Sequence, residues 1–158
     1  MTLETFNMAQ STHTPLLSEV LKKVHNAKTK DKKVAILQEF DTEPLRMVIK
    51  SSFDPNIEWE MPSGAVPYQA NEAPEGTEHN VLRRESRKLY RFIKGGDPAL
   101  PRAKKENLFI QMLEGLHKSE AELIVNAKDK KLHQVYKGLS AAVVKEAFDW
   151  NDDFIRNN

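Results

Sequence analysis

Apolar positions recur three or four residues apart along most of the chain and nowhere alternate one by one. That spacing puts side chains on one face of an α-helix. Leu17, Val20, Leu21 and Val24 predict a helix over about 15–26, with Thr14 as its cap and Pro15 in its first turn. A second helix starts near Thr29, with Val34, Leu37 and Phe40 inward and Lys30, Lys32 and Lys33 outward. Thr42 caps a third, where Leu45, Val48 and Ile49 form the stripe and Arg46 and Lys50 share another face. Residues 79–94 read as a helix ended by Gly95 and Gly96, and 102–116 as one that buries Leu108, Phe109, Met112, Leu113 and Leu116. Ser119 and Glu122 have capping-box spacing ahead of Leu123, Ile124 and Ala127. Ser140 caps a last helix carrying Val143, Val144, Ala147 and Phe148. The predicted fold is all-α, a compact bundle of about six or seven helices.

The pattern breaks once. Residues 54–78 hold four prolines, two glycines and six carboxylates, with no lysine or arginine. This predicts one long acidic, Pro-rich loop or extended arm, and a loop of that length inside a domain tends to be functional or disordered. Trp59, Met61, Val66 and Tyr68 imply that part of it docks on the body. The expected organisation is a flexible N-terminus over 1–13, one helical domain over 14–150 that contains this loop, and a C-terminal tail over 151–158.

Composition adds limits. With 158 residues the chain is long enough for one core. Charged residues make up 30%, yet the net charge is only +1. The balance hides a division: residues 54–78 carry a net −6, whereas 79–118 hold ten Lys/Arg against four Asp/Glu. There is no cysteine, which excludes disulfides and thiolate metal sites. No apolar run approaches the ~20 residues that span a bilayer, and no secretory signal is apparent, so a cytoplasmic protein without membrane contact is expected.

Candidate chemistry is sparse. None of the five histidines shares a helical face with another or lies in an H-E-x-x-H arrangement. "FDWNDDF" at 148–154 has the aspartates of a calcium loop without its central glycine or closing glutamate. Neither phosphate-binding glycine motif occurs, and no serine or threonine has an evident base partner. The expectation is a protein that is no enzyme and needs no metal or cofactor.

The exception is "LRRESRKLYRFIKGG", residues 82–96, with six basic side chains. On a helix, Arg84, Arg87, Arg91 and Lys94 form one stripe, and Arg83 and Lys88 widen it. Leu82, Leu89, Phe92 and Ile93 take another face. Arg102, Lys104 and Lys105 open the next helix, where free backbone N–H groups also attract anions. Most charge runs are merely solvated faces. Here arginine outnumbers lysine, and its fork suits phosphate better. Nucleic-acid contact is therefore a candidate function.

Residues 108–150 resemble the closing helices of the all-helical N-terminal DNA-binding domain of phage-type ATP-dependent DNA ligases. The resemblance rests on Leu132, Lys137, Gly138, Ser140, Val144, Ala147 and Phe148, and on "LKKVHNAKTKDKKVAILQEFDTEPLRMVIKSSFDP" near the start. The chain also resembles a family of small tailed-phage proteins of unknown function. The ligase resemblance implies contact with duplex DNA across the minor groove, through backbone phosphates and with low sequence preference, Lys137, Gly138 and Ser140 joining the basic residues above. The K-x-D-G of nucleotidyl transfer is absent, so the resemblance implies binding as a replication or repair accessory, without adenylation. Two other readings stay open. One is an adaptor or inhibitor of a host or phage enzyme, with Trp59 and Tyr68 as anchors. The other is a virion component. For the acidic loop two readings stay open: it folds back over the basic face and competes with nucleic acid, or it packs Trp59 and Tyr68 on the core with its carboxylates toward solvent.

Overall fold

The computed structural model describes residues 14–71 and 80–157. Among them are eight α-helices and one 3-10 helix, and extended backbone pairs only in isolated bridges such as Trp59–Ile93 and Asn80–Leu116. The helices are α1 (Leu17–Asn26), α2 (Lys30–Glu39), α3 (Glu43–Phe53), α4 (Leu82–Glu85), α5 (Arg102–Gly115), α6 (Lys118–Lys128), α7 (Leu132–Val135) and α8 (Ala141–Phe148). The 3-10 helix covers Ser86–Phe92. The all-α prediction holds. The expected flexible segment 1–13 lies outside the described residues, as do 72–79 of the acidic loop.

The apolar stripes meet in one core. α2 packs on α1 and α8, and α3 lies against α6. Leu21, Leu37, Leu45, Ile49, Leu113, Ile124 and Phe148 are almost wholly buried there. Each such side chain contributes roughly 1.5–3 kcal/mol of transfer free energy. Two predicted caps are made, Thr42 and Ser140, and Thr29, expected only as a helix start, is a third: each accepts from a backbone N–H in the first turn that follows.

Other boundaries differ for local physical reasons. α1 starts at Leu17, not at Pro15; its N-cap is Leu16, whose N–H donates to Glu19 Oε1 (2.9 Å). α6 is capped by His117 in place of Ser119, because His117 Nδ1 accepts the Ser119 N–H (3.1 Å). Ser119 Oγ lies 2.8 Å from the same nitrogen and also shares a hydrogen bond with Ser18 Oγ. Residues 151–157, expected as a tail, fold back on the body. Phe154 is buried beside Phe53 and Trp150, and the Asn157 N–H donates to Asp149 O (2.8 Å).

The largest departure is at 79–94. The predicted α-helix is a single turn, α4, followed by the 3-10 helix. Three features tighten and end it. Ser86 Oγ donates to Arg83 O (3.2 Å), a side-chain bond that competes with the α-helical ladder. Ser86, Leu89 and Phe92 are the buried positions, a repeat of three that matches the 3-10 turn. Beyond Phe92 the chain turns extended at Ile93 and pairs with the arm: Glu60 N–H donates to Phe92 O (2.7 Å) and Lys94 N–H to Glu58 O (2.8 Å).

Candidate nucleic-acid interface

Three residues per turn re-sort the basic stripe. In a 3-10 helix, positions three apart eclipse one another. Arg84, Arg87 and Tyr90 therefore form one row and Glu85, Lys88 and Arg91 another, on either side of the buried Ser86–Leu89–Phe92 row. The single stripe Arg84–Arg87–Arg91–Lys94 does not form. Arg84 and Arg87 are exposed, as is Tyr90 at 49%. Arg87 Nε donates to Arg84 O (3.2 Å), which lays the two side chains along one edge. Arg83 is half-buried.

The second row faces α5. Lys88, Arg91 and Glu85 line a groove of ≈ 300 Å³ with Asn80, Leu108 and Gln111. Lys88 Nζ pairs with Glu85 (3.1 Å). The Arg91 guanidinium lies 5.8 Å from the Tyr90 ring, and its Nε donates to the Tyr90 hydroxyl (3.4 Å). That hydrogen bond raises the Arg91 pKa further, so its charge is permanent.

At the start of α5 the basic residues separate. Lys104 and Arg102 are exposed, and Arg102 reaches Glu106 (3.8 Å). Lys105 is not on that surface: it is 3% exposed, and its ammonium pairs with Glu60 (3.0 Å). Lys94 pairs with Glu58 (3.3 Å) at the surface. Two carboxylates of the arm thus face two of the expected DNA-binding lysines. Glu72, Glu75 and Glu78 lie outside the described residues.

The arm is docked, as its apolar residues implied. Met61 is buried, and Trp59, Val66 and Tyr68 pack against the core. The Trp59 indole N–H donates to Ser51 O (3.0 Å). Two lysines outside the predicted site hold the backbone. Lys128 Nζ donates to Pro62 O (2.7 Å), Gly64 O (3.1 Å) and Asp129 Oδ1 (2.7 Å). Lys130 Nζ donates to Asp54 O (2.8 Å) and to Ile57 O, and burial lowers its pKa against the pull of Asp54 and Glu58. Lys130 also has φ 61°, a left-handed backbone that favours glycine.

Glu120 was missed entirely. It is 1% exposed on α6, and its two oxygens accept the N–H of Leu17 (3.1 Å) and of Leu82 (2.9 Å). One carboxylate so caps the first residues of α1 and α4, which places the basic segment on the body. Burial raises its pKa; the two N–H bonds and nearby Arg83 oppose that shift without cancelling it. In the sequence it is one glutamate among many, and only its position on the apolar side of α6 could have marked it.

Lys137, Gly138 and Ser140 lie elsewhere. Lys137 is exposed, and its N–H donates to His25 Nδ1 (2.9 Å). Gly138 is buried: a Cβ there would stand 2.8 Å from Val24 O and 2.4 Å from Lys33 Cε. The glycine thus meets a packing need where the turn crosses α1 and α2. Ser140 Oγ already accepts the Val143 N–H (3.2 Å). Among the described residues no group of three or more His, Asp or Glu could hold a metal ion. No helix among them is long and apolar enough to cross a membrane.

The molecule is therefore a compact all-α protein with a docked arm and a basic surface. The chain belongs to the Family of unknown function (DUF6433), which matches residues 20–134. No curated protein matches it, and no solved structure does.

Proposed function

We propose that this protein binds duplex DNA without catalysis, through backbone phosphates and with little sequence preference. The observation that carries the reading is the exposed edge of Arg84, Arg87 and Tyr90. None of the three has a carboxylate within ion-pair distance among the described residues, whereas Lys88, Lys94, Arg102 and Lys105 do. Arginine forks and tyrosine hydroxyls are common phosphate donors. Replication or repair in an infected cell, as the ligase resemblance implies, belongs to the same proposal. Titration of labelled duplex at several salt concentrations tests it. Binding should weaken linearly on a log–log plot, and Arg84→Gln with Arg87→Gln should make the slope shallower by about 1.8. A slope near zero in the wild-type protein sinks the proposal.

A second reading has its own support. Exposed tyrosine flanked by arginine is also the composition of protein-binding hot spots, so a host or phage protein is the alternative partner. Capture of a partner from nuclease-treated lysate that is lost in Tyr90→Ala would favour it.

A further inference from the structure

A second basic cluster, as dense as the arginine segment but built only of lysine, lies nearer the N-terminus. From Lys22 to Lys33 there are six lysines and one carboxylate, Asp31. Lys22, Lys23, Lys28, Lys30 and Lys32 are exposed. Tertiary packing adds to the cluster. The 136–140 turn crosses this corner: the Lys137 N–H bonds His25, and Gly138 sits against Val24 and Lys33. Lys137, far away in sequence, thereby joins the lysines of the α1–α2 turn.

Lys23 and Lys30 are engaged, the first over the Phe40 ring (4.9 Å) and the second near Glu146 (3.7 Å). Lys22, Lys28, Lys32, Lys33 and Lys137 have no carboxylate within ion-pair distance among the described residues. Their placement works against stability. Lys30, Lys32 and Lys33 crowd the first turn of α2, where the helix dipole is positive and acidic residues are the favourable choice. Only Asp31 follows that rule. Cations at this end add to the positive potential of the free N–H groups and do not offset it. Such an arrangement destabilises the free protein and suits a bound polyanion.

We propose that the corner formed by the α1–α2 turn and Lys137 is a second surface for the phosphate backbone of duplex DNA, separate from the Arg84–Arg87 edge. This inference rests on the DNA-binding reading above. Lysine rather than arginine makes the contact ionic and indifferent to sequence. With two surfaces, the protein grips more phosphates than either surface alone can reach.

The test compares charge-matched pairs in the full chain: Lys28→Gln with Lys32→Gln, against Lys118→Gln with Lys131→Gln, all four exposed. Circular dichroism first verifies that the folds are equal. Duplex affinity is then measured between low and moderate salt. The first pair should make the log–log slope shallower by about 1.8 and lower affinity near 0.1 M salt roughly 10- to 60-fold, while the second leaves the slope near wild type. Equal losses from both pairs overturn the proposal, because only net charge would then matter. So does an unchanged slope in the first pair while wild type still binds, and in that case the DNA reading itself survives. Wild-type protein that binds anionic vesicles but no duplex overturns both.

Discussion

The arm and the 3-10 segment run side by side and use their charged neighbours in opposite ways. Along the arm, Lys105, Lys128 and Lys130 turn inward to carboxylates and backbone carbonyls. Along the 3-10 segment, Arg84 and Arg87 turn outward. Lys128 and Lys130 replace a secondary structure that the arm lacks, since they satisfy carbonyls that no helix or sheet would, and Lys105 anchors the arm through Glu60. The arginines satisfy little of the protein's own backbone. In this molecule positive charge is architecture on one side of the Trp59–Ile93 bridge and available surface on the other.

The strongest way to break that contrast is Lys128→Ala. It removes three hydrogen bonds and leaves the Asp129 carboxylate without its cation, held only by the Gly64 N–H, so a loss of roughly 3–5 kcal/mol is expected in denaturant unfolding. A loss below about 1 kcal/mol would show that the arm does not depend on this lysine. Glu120→Ala comes next, with roughly 2–4 kcal/mol from two buried N–H groups left without an acceptor. Its carboxyl also has a pH signature. The folded pKa is raised by burial, so the group gives up its proton less readily in the fold than in the unfolded chain. Its contribution is full below the unfolded value and declines as pH rises through the higher folded value. Unfolding free energies across the mildly acidic range should show this decline in wild type and not in Glu120→Gln.

Gly138→Ala sharpens the role of the crossing turn. The new Cβ meets Val24 O and the Lys33 side chain, which predicts a cost of roughly 1–3 kcal/mol. Thermal melts would measure it, and a neutral result would mean that the turn moves aside freely. The smallest stability effect belongs to Arg84→Gln with Arg87→Gln, within about 0.5 kcal/mol of wild type. If this pair unfolds the protein as readily as Lys128→Ala does, the two regions do not differ and the arginines are structural.

How far the sequence reached varies by region. The stripes of α1, α2, α3, α5, α6 and α8 were legible because each helix buries a face wide enough to repeat at helical spacing. Thr42 and Ser140 were legible as caps because short polar side chains compete with the backbone at helix starts. The 82–94 segment was misread. Leu82, Leu89 and Phe92 fit an α-helix and a 3-10 helix almost equally, and the buried Ser86 that distinguishes them is polar. Lys105 was misread for a related reason: it occupies a charged first turn, and nothing local says that Glu60 approaches it from across the fold.

By itself the sequence determined the helical class, the core stripes, the cysteine-free chemistry and the division of charge, all of which depend on neighbours within a turn or two. Tertiary structure alone decided which cations face solvent and which hold the arm. It also decided that Glu120 caps two helices and that Lys137 joins the α1–α2 lysines. Each of those outcomes needs a partner distant in the chain. A buried carboxylate or ammonium is stable only beside that partner, so its meaning cannot be read from the residues on either side of it.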